Sequence, residues 1–172
     1  TITQGGGTRS ESVYNSVIVI DNDIDVVVIH DAARPWVSKR LINKLILEFM
    51  NDQSIQCLYP VISITDSLRM KKDEDLIPVD REEFLTIQTP QIFQKESLKN
   101  ALDKMMEEKL SFTDESQLME MAGFSVKEIL GERSNLKITY AEDIYQNIEN
   151  DYRIGRGIDF HKLEPGEGIT LG

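Results

Sequence analysis

The residues best suited to chemistry follow a run of β-branched apolar residues in the segment Val26–Pro35, VVVIHDAARP. The run predicts a strand buried on both faces, as in a parallel sheet. Arg34-Pro35 prevents its simple continuation, because proline lacks an N–H and restricts the residue before it. Asp31 and Arg34 would therefore lie at the carboxyl end of a buried strand, where open α/β sheets bind their ligands.

Asp31 and Arg34 together suit a metal-bound substrate that carries phosphate. Carboxylate oxygens bind Mg²⁺ or a ribose hydroxyl, and a guanidinium binds phosphate oxygens. Spacing alone leaves a second interpretation open, in which Asp31 caps the next helix and Arg34 is its partner at the surface.

Three other segments carry polar groups of interest, and each has a structural alternative. The loop of residues 5–9, GGGTR, could place backbone N–H groups against phosphate or be a flexible turn; it lacks the Walker A lysine and the dinucleotide glycine spacing. Residues 113–116, TDES, are typical of a helix cap, although a direct chemical role stays open. Lys137 lies in a short apolar segment and points either to solvent or into a cleft.

Asp159 and His161 are two candidate metal ligands. At i and i+2 they would lie on the same side of an extended strand. A zinc site needs a third ligand, and His30 is the only other histidine of the chain. A solvated pair of loop residues is therefore the alternative.

The elements that must position these residues alternate between strands and helices, which predicts an α/β sandwich with a mainly parallel sheet. Helices are predicted over residues 10–19, 39–50 with Ser38 as cap, 95–109, 114–121 with Thr113 as cap, and 141–150. Strands are predicted over residues 25–30, 56–64, 84–88, 126–130 and 136–138.

Residues 67–81 predict a long hairpin that projects from the domain, with an acidic turn at residues 73–75. Such an arm cannot bury its apolar face alone. A partner subunit is its natural cover.

Length and composition limit the number of domains, the kinds of partner and the location that the protein can have. The 172 residues suffice for one sizeable domain, and the segment 153–172, which holds five of the ten glycines, begins what the composition indicates is a second. A net charge of −11 argues against nucleic-acid or anionic membrane partners. No apolar run approaches the ~20 residues that span a bilayer. The single cysteine, Cys57, cannot form an intrachain disulfide and fits a reducing, cytoplasmic location.

Several segments, in this order, resemble the 2-C-methyl-D-erythritol 4-phosphate cytidylyltransferase family: GGGTRSESV, VIHDAARP, ITDSLR, PVDREEF, TPQIF, FTDES and NLKITYAEDI. The resemblance spans Gln4 to about Ile148 and implies, for residues 1–150, a Rossmann-like nucleotidyltransferase sandwich with a protruding β-arm. The family transfers CMP from CTP to 2-C-methyl-D-erythritol 4-phosphate and releases pyrophosphate, in isoprenoid precursor biosynthesis. Ribitol phosphate cytidylyltransferases are similar but usually replace the two alanines of DAARP, so they are the second choice.

The resemblance implies roles for the residues around the nucleotide. Asp31 would hold Mg²⁺, Arg34 would bind the substrate phosphate, and Lys137 would neutralise charge that develops near the α-phosphate. Gly6 and Ser12 would line the cytidine pocket.

The resemblance also implies contacts across a dimer. Thr89 would contact the substrate phosphate from its own subunit. Ser67 and Arg81, on the arm, would reach the substrate phosphate of the neighbouring subunit, so that each site needs a homodimer.

The tail RIGRGIDFHKLEPGEGITLG resembles the opening strand of 2-C-methyl-D-erythritol 2,4-cyclodiphosphate synthase. Residues 151–172 would then be a linker and the first strand of that domain, in a bifunctional fusion. Asp159 and His161 would bind a divalent metal such as Zn²⁺ once the domain is completed. Arg156 departs from the His or Asn that is usual there.

The cytidylyltransferase family begins with a strand and a Gly-rich basic loop that wraps the triphosphate of CTP, and the resemblance starts after that loop. We therefore expect the 172-residue chain alone to have little or no activity of either kind. The alternative is a non-catalytic remnant that folds and dimerises. The sequence upstream of Thr1 would separate the two.

Overall fold

The computed structural model describes residues 2–108, 112 and 114–144. The helices and strands of this part of the chain are, in order, α1 (Arg9–Val17), β1 (Val26–Ile29), α2 (Lys39–Asn51), β2 (Cys57–Ser63), β3 (Leu68–Lys72), β4 (Asp75–Val79), β5 (Leu85–Ile87), β6 (Gln91–Gln94), α3 (Lys95–Glu108), α4 (Glu115–Met121) and β7 (Val126–Leu130). Short 3₁₀ helices occupy Arg81–Glu83 and Ala141–Ile144.

The main sheet contains β1, β2, β5, β6 and β7. Strand β6 pairs antiparallel with both β1 and β2, and β5 also pairs antiparallel with β2. Strand β7 pairs parallel with β2. Strands β1, β2 and β7 therefore run in one direction and β5 and β6 in the other, which makes the sheet mixed.

The core lies on both faces of this sheet, because consecutive side chains of a strand point to opposite faces. Cys57 and Phe93 belong to a cluster that includes residues of α1, α3 and α4. Leu58 and Ile92, their neighbours in sequence, belong to a second cluster with residues of α2. Helices thus cover the sheet from two sides, and the predicted α/β sandwich is confirmed.

Cys57 is fully buried and unpaired. Burial, together with the nearby negative charges of Asp114, Glu120 and Glu115, raises the pKa of its thiol. The thiol is therefore protonated at neutral pH and unreactive. No helix among the described residues is long and apolar enough to cross a membrane.

Strand β1 does not have two covered faces, so that prediction was wrong. Val27 is buried, but Val26 and Val28 are 36% and 49% exposed. Within the described residues β1 pairs only with β6 and lies at the end of the sheet. A run of β-branched residues indicates a strand but carries no information on how many of its faces other elements cover.

The first helix begins earlier than its sequence predicts. Thr8 is the N-cap of α1 and forms a capping box with Glu11, so the helix starts at Arg9, one residue before the predicted start. The predicted cap of α2 is confirmed, because the Ser38 hydroxyl accepts a hydrogen bond from the Leu41 N–H at 3.0 Å.

Three predictions for residues 113–150 differ from the structure or lie partly outside its described residues. Within the described part of the chain residues 136–138 pair with no strand; instead the Ile138 N–H donates to the Ala33 carbonyl at 2.8 Å. The predicted helix 141–150 is a 3₁₀ helix over Ala141–Ile144, and its remainder lies outside the described residues. Thr113, the predicted cap of α4, also lies outside them; the observed N-cap is Asp114, and Gly123, with φ of 84°, follows the end of the helix.

The predicted arm is confirmed as a hairpin. Strands β3 and β4 pair antiparallel from Leu68↔Val79 to Lys72↔Asp75 and form a sheet of their own. Apolar side chains on it are exposed, among them Met70 at 49% and Leu76 at 66%.

Candidate active site

Four of the residues singled out in the sequence converge on one cavity of about 230 Å³. Asp31 and Arg34 reach it from the segment after β1, Thr89 from the segment between β5 and β6, and Lys137 from the segment after β7. The lining is completed by Arg9, Ile87, Gln88, Gln91 and Asp114. Three positive side chains and two carboxylates, those of Asp31 and Asp114, therefore line one concave site, which suits an anionic substrate with a cation.

Asp31 is the electrostatic centre of the cavity. Its Oδ2 lies 3.0 Å from Lys137 Nζ and 3.5 Å from Arg34 Nε. Burial by itself would raise the pKa of this carboxyl, but the hydrogen bond and charge of Lys137, with the charges of Arg34 and Arg9, hold the pKa below its usual value. Asp31 is thus an anion at neutral pH, ready to accept a metal ion or a donor.

Arg34 is buried and holds neighbouring segments together. Its Nη1 donates to the Asn135 carbonyl at 2.8 Å, and its Nη2 lies 3.4 Å from the Ile87 carbonyl oxygen. Burial lowers the pKa of Arg34, partly offset by Asp31, yet an arginine stays charged at neutral pH. The alternative of a capping aspartate with a surface arginine is wrong, because Ser38 caps α2 and Arg34 is only 9% exposed.

Asn135 joins three of the segments that line the cavity. It is fully buried, its side-chain Nδ2 donates to the Thr89 carbonyl at 2.8 Å, and its own carbonyl accepts from Arg34 and Gln88. Lys137 follows two residues later and is half-exposed. The alternation of Leu136, Lys137 and Ile138 is observed in burial even though no strand forms, and it directs the ammonium group to the cavity.

Arg9 and Glu115 form an ion pair that the sequence does not predict. Arg9 Nη1 and Nη2 donate to the two carboxylate oxygens of Glu115 at 2.6 and 2.7 Å. The Glu115 side chain is completely buried, whereas that of Arg9 is 44% exposed. Partial burial by itself would lower the pKa of Arg9, but the two hydrogen bonds to Glu115 and the negative charge of that carboxylate outweigh burial and hold the pKa above its usual value. The pair ties α1 to α4 at the edge of the cavity.

Gly6 and Ser12, which share a predicted role at the cytidine pocket, contact each other, but neither lines the 230 Å³ cavity. The Gly6 N–H donates to the Ser12 hydroxyl at 2.9 Å. A Cβ on Gly6 would lie 2.2 Å from Glu11 Cβ, so only glycine fits there. Ser12 lines an adjoining groove of about 400 Å³ that also includes Arg9 and His30. The two residues are thus next to the cavity, and their role in binding a nucleobase stays a prediction.

Ser67 and Arg81 lie at the base of the arm, outside the cavity of their own chain. Both are exposed, and Arg81 Nη1 donates to the Thr65 carbonyl. Their position is compatible with a contact to another subunit, and that contact stays a prediction.

Of the predicted metal ligands, the structure describes Asp31 but not Asp159 or His161. Among the described residues no group of three or more His, Cys, Asp or Glu could hold a metal ion by itself. Mg²⁺ at phosphate-transfer sites is commonly bound by one or two carboxylates with substrate phosphates and water. Asp31, an ionised carboxylate in the cavity, fits such a site. Asp159 and His161 lie outside the described residues.

Sequence reasoning gave no individual role to Arg9, Glu115 or Asn135, although Arg9 and Glu115 lie in the segments 5–9 and 113–116 that it singled out. Arg9 and Glu115 are 106 positions apart, and no local pattern links them. One sequence feature could have indicated Asn135: it is a polar residue directly before the apolar segment that carries Lys137. The hydrogen bonds that make it important are made mostly by its backbone carbonyl, which every residue has.

A family model described as "IspD: 2-C-methyl-D-erythritol 4-phosphate cytidylyltransferase" matches residues 1–148. A bifunctional enzyme IspD/IspF from Pelagibacter ubique is 39% identical over 173 residues, which cover 99% of this chain and 44% of that protein. A 2-C-methyl-D-erythritol 4-phosphate cytidylyltransferase from Caldanaerobacter subterraneus is 39% identical over 145 residues, covering 83% of this chain and 63% of the relative. The chain thus spans less than two thirds of the length of these relatives.

Solved structures agree with this result. The crystal structure of the cytidylyltransferase from Thermus thermophilus matches with a TM-score of 0.76 and 30% identity, over 83% of this chain and 69% of that one. The bifunctional IspDF from Campylobacter jejuni matches with a TM-score of 0.69 and 34% identity, over 83% of this chain and 35% of that one. The fold is therefore that of a nucleotidyltransferase domain. The chain belongs to the 2-C-methyl-D-erythritol 4-phosphate cytidylyltransferase family.

Proposed function

We propose that the cavity around Asp31 is a cytidylyltransferase site that joins CMP from CTP to 2-C-methyl-D-erythritol 4-phosphate, in the cytoplasm. The observation that carries the proposal is the convergence of Asp31, Arg34, Thr89 and Lys137 from three separate segments on one cavity. A phosphate oxygen of the sugar phosphate attacks the α-phosphorus of CTP, and the bond to the bridging oxygen breaks as pyrophosphate leaves. Such transfers depend on positioning and charge neutralisation, not on a protein nucleophile.

In this proposal the acidic residue binds the metal ion and the basic residues bind the phosphates. Asp31 would hold Mg²⁺, which supplies charge neutralisation at the phosphates when it is bound. Lys137, 3.0 Å from Asp31, is placed to donate to an oxygen of the α-phosphate as its charge develops. Arg34 is the candidate ligand for the phosphate of the sugar. Gly6 and Ser12 are candidates for the cytidine end of the nucleotide, because they lie beside the cavity.

The test is a pyrophosphate-release assay on the full-length gene product, of which this chain is the whole or a part. With CTP and Mg²⁺ we expect turnover with 2-C-methyl-D-erythritol 4-phosphate and at least ~10-fold lower kcat/KM with ribitol 5-phosphate, since mispaired polar groups in a site cost that much. A preference for ribitol phosphate would support the alternative substrate. No release with either would favour a non-catalytic protein that only folds and dimerises.

Residues 151–172 support a second, separate part of the proposal. The relative from Pelagibacter ubique is a bifunctional enzyme, and its match extends over 99% of this chain. We infer that these residues are the linker and first strand of a cyclodiphosphate synthase domain. Asp159 and His161 would then supply two of the ligands of a divalent metal such as Zn²⁺, and the remainder of the domain would supply the others.

The arm leads us to expect a homodimer. The exposed apolar side chains on β3 and β4 need a cover that the described residues do not supply. Light scattering at micromolar concentration should report about twice 19.7 kDa for this chain. A monomer at that concentration would contradict a dimer held by the 67–81 arm.

Mixed dimers test whether the arm completes the neighbouring site. Arg81→Ala should lower turnover by about 10-fold, the loss expected for one charged hydrogen bond. A heterodimer of Arg81→Ala with Lys137→Ala should recover about half of the wild-type turnover, because one of its two sites regains both groups. No recovery would show that Arg81 acts within its own subunit.

A further inference from the structure

The Thr89 hydroxyl is already engaged within the chain. Its Oγ1 accepts a hydrogen bond from the Asp31 N–H at 2.9 Å and lies 3.0 Å from His30 Nδ1. The other ring nitrogen of His30, Nε2, lies 3.0 Å from the Arg34 carbonyl oxygen. His30 and Thr89 thus contact both residues that we assign to the metal ion and to the phosphate.

The direction of the hydrogen bond at Nε2 follows from the groups present, and the direction of the one at Nδ1 follows once the ring is neutral. The Arg34 carbonyl can only accept, so Nε2 of His30 must carry a proton and donate it. In the neutral imidazole Nδ1 is then bare and can only accept, so the Thr89 hydroxyl donates to it. The single proton of that hydroxyl is thereby used, and its oxygen accepts the Asp31 N–H. A phosphate, which accepts hydrogen bonds and donates none when fully ionised, would find no free proton on Thr89.

Thr89 itself is held firmly. It is 5% exposed, and its carbonyl accepts from the Asn135 side chain at 2.8 Å. The chain of contacts from Asn135 through Thr89 to His30 therefore anchors the turn of residues 30–34 to the interior. That turn is also closed by a hydrogen bond from the Arg34 N–H to the Asp31 carbonyl at 2.9 Å.

We propose that His30 and Thr89 are positioning residues that fix the backbone of Asp31 and Arg34, with His30 as the tautomer that is protonated on Nε2. The proposal rests on the proposed function and revises the expectation that Thr89 touches the substrate phosphate. Thr89 affects the transfer reaction because its hydroxyl holds the Asp31 N–H in place. His30 affects it because its ring holds the Arg34 carbonyl and the Thr89 hydroxyl.

Kinetics of matched variants distinguish positioning from contact. Thr89→Val removes the hydroxyl at constant shape, Thr89→Ser keeps it, and His30→Phe keeps a planar ring without nitrogens. We expect Thr89→Val and His30→Phe each to lower kcat by about 10-fold, and Thr89→Ser to stay near wild type. The KM for the sugar phosphate should change less than about threefold in Thr89→Val, because Thr89 acts through Asp31 and not through the phosphate ligand Arg34. The double variant should lose about 10-fold, not about 100-fold, because both changes break one chain of contacts.

A direct contact between Thr89 and the phosphate predicts different numbers. Thr89→Val would then raise the KM for the sugar phosphate, His30→Phe would stay near wild type, and the two losses would multiply in the double variant. Any of these three results would overturn the proposal.

Nitrogen NMR of the histidine rings gives a readout that needs no turnover. The 172-residue chain has two histidines, so spectra of His161→Ala assign the signals of His30. We expect a protonated Nε2 and a bare Nδ1, with the Nδ1 resonance shifted in Thr89→Val and unchanged in Thr89→Ser. A proton on Nδ1, or an Nδ1 resonance that does not move in Thr89→Val, would overturn the proposal. Because these spectra are recorded without substrate, they separate its failure from a failure of the proposed function.

Discussion

Replacement of Arg9 by methionine should lower the free energy of unfolding by about 3 kcal/mol at neutral pH. The change leaves the carboxylate of Glu115 buried without the two hydrogen bonds that it accepts from Arg9 at 2.6 and 2.7 Å. Breaking a buried ion pair typically costs about 3–5 kcal/mol, and the lower end applies because Arg9 is 44% exposed. Urea denaturation of the two proteins measures the difference.

Two control variants sharpen this experiment. Lys99 lies 3.9 Å from Asp103 and both side chains are about half-exposed, so Lys99→Met should cost less than about 1 kcal/mol. The double variant Arg9→Met with Glu115→Gln should recover much of the stability, because it removes the unpaired charge. A loss below about 1 kcal/mol for Arg9→Met alone would show that Glu115 has other support.

Lys137→Ala should lower kcat of the full-length gene product by at least ~10-fold. The ammonium group lies 3.0 Å from Asp31 Oδ2 at the mouth of the cavity, where we place the developing charge of the α-phosphate. Lys127→Ala is the matched control, because Lys127 is similarly exposed, lies 3.9 Å from Glu48, and does not line the cavity. Equal activity of the two variants would remove Lys137 from the proposed mechanism.

The same variant changes the titration of Asp31. Burial by itself would raise the pKa of Asp31, and Lys137 is the main cause that holds the pKa below its usual value. A carboxyl group with a lowered folded-state pKa stabilises the fold above its unfolded pKa, and this stability is lost as the pH falls through the folded pKa. In Lys137→Ala the pKa of Asp31 should rise, which carbon NMR of the carboxyl groups can follow. A pKa that does not move would contradict the ion pair.

Local rules explain which parts of this fold the sequence predicts. The Ser38 cap, the amphipathic α2 and the hairpin of β3 and β4 depend on residues within a few positions of each other. The position of Asp31 and Arg34 after a strand was predictable for the same reason, since Pro35 and the β-branched run are both local. The resemblance to a family added Thr89, to which local patterns gave no role, and Lys137, whose direction local patterns left open.

The features that the sequence did not predict depend on contacts between distant segments. The exposure of Val26 and Val28 follows from the place of β1 at the end of the described sheet, which its own residues do not encode. Residues 136–138 have a strand-like alternation, yet Ile138 bonds to Ala33 instead of a neighbouring strand. The pairing of Arg9 with Glu115 arises only once the fold brings the first turns of α1 and α4 together at the edge of the cavity.

Transfer of label from CTP that carries ³²P at the α-phosphate tests the central claim most directly. With 2-C-methyl-D-erythritol 4-phosphate and Mg²⁺, the full-length gene product should transfer the label to the sugar phosphate, and Asp31→Asn should transfer it at least ~10-fold more slowly. Asp103→Asn, a surface change on α3, should match the wild type. No transfer by the wild type, or equal transfer by Asp31→Asn, would contradict a cytidylyltransferase site built around Asp31.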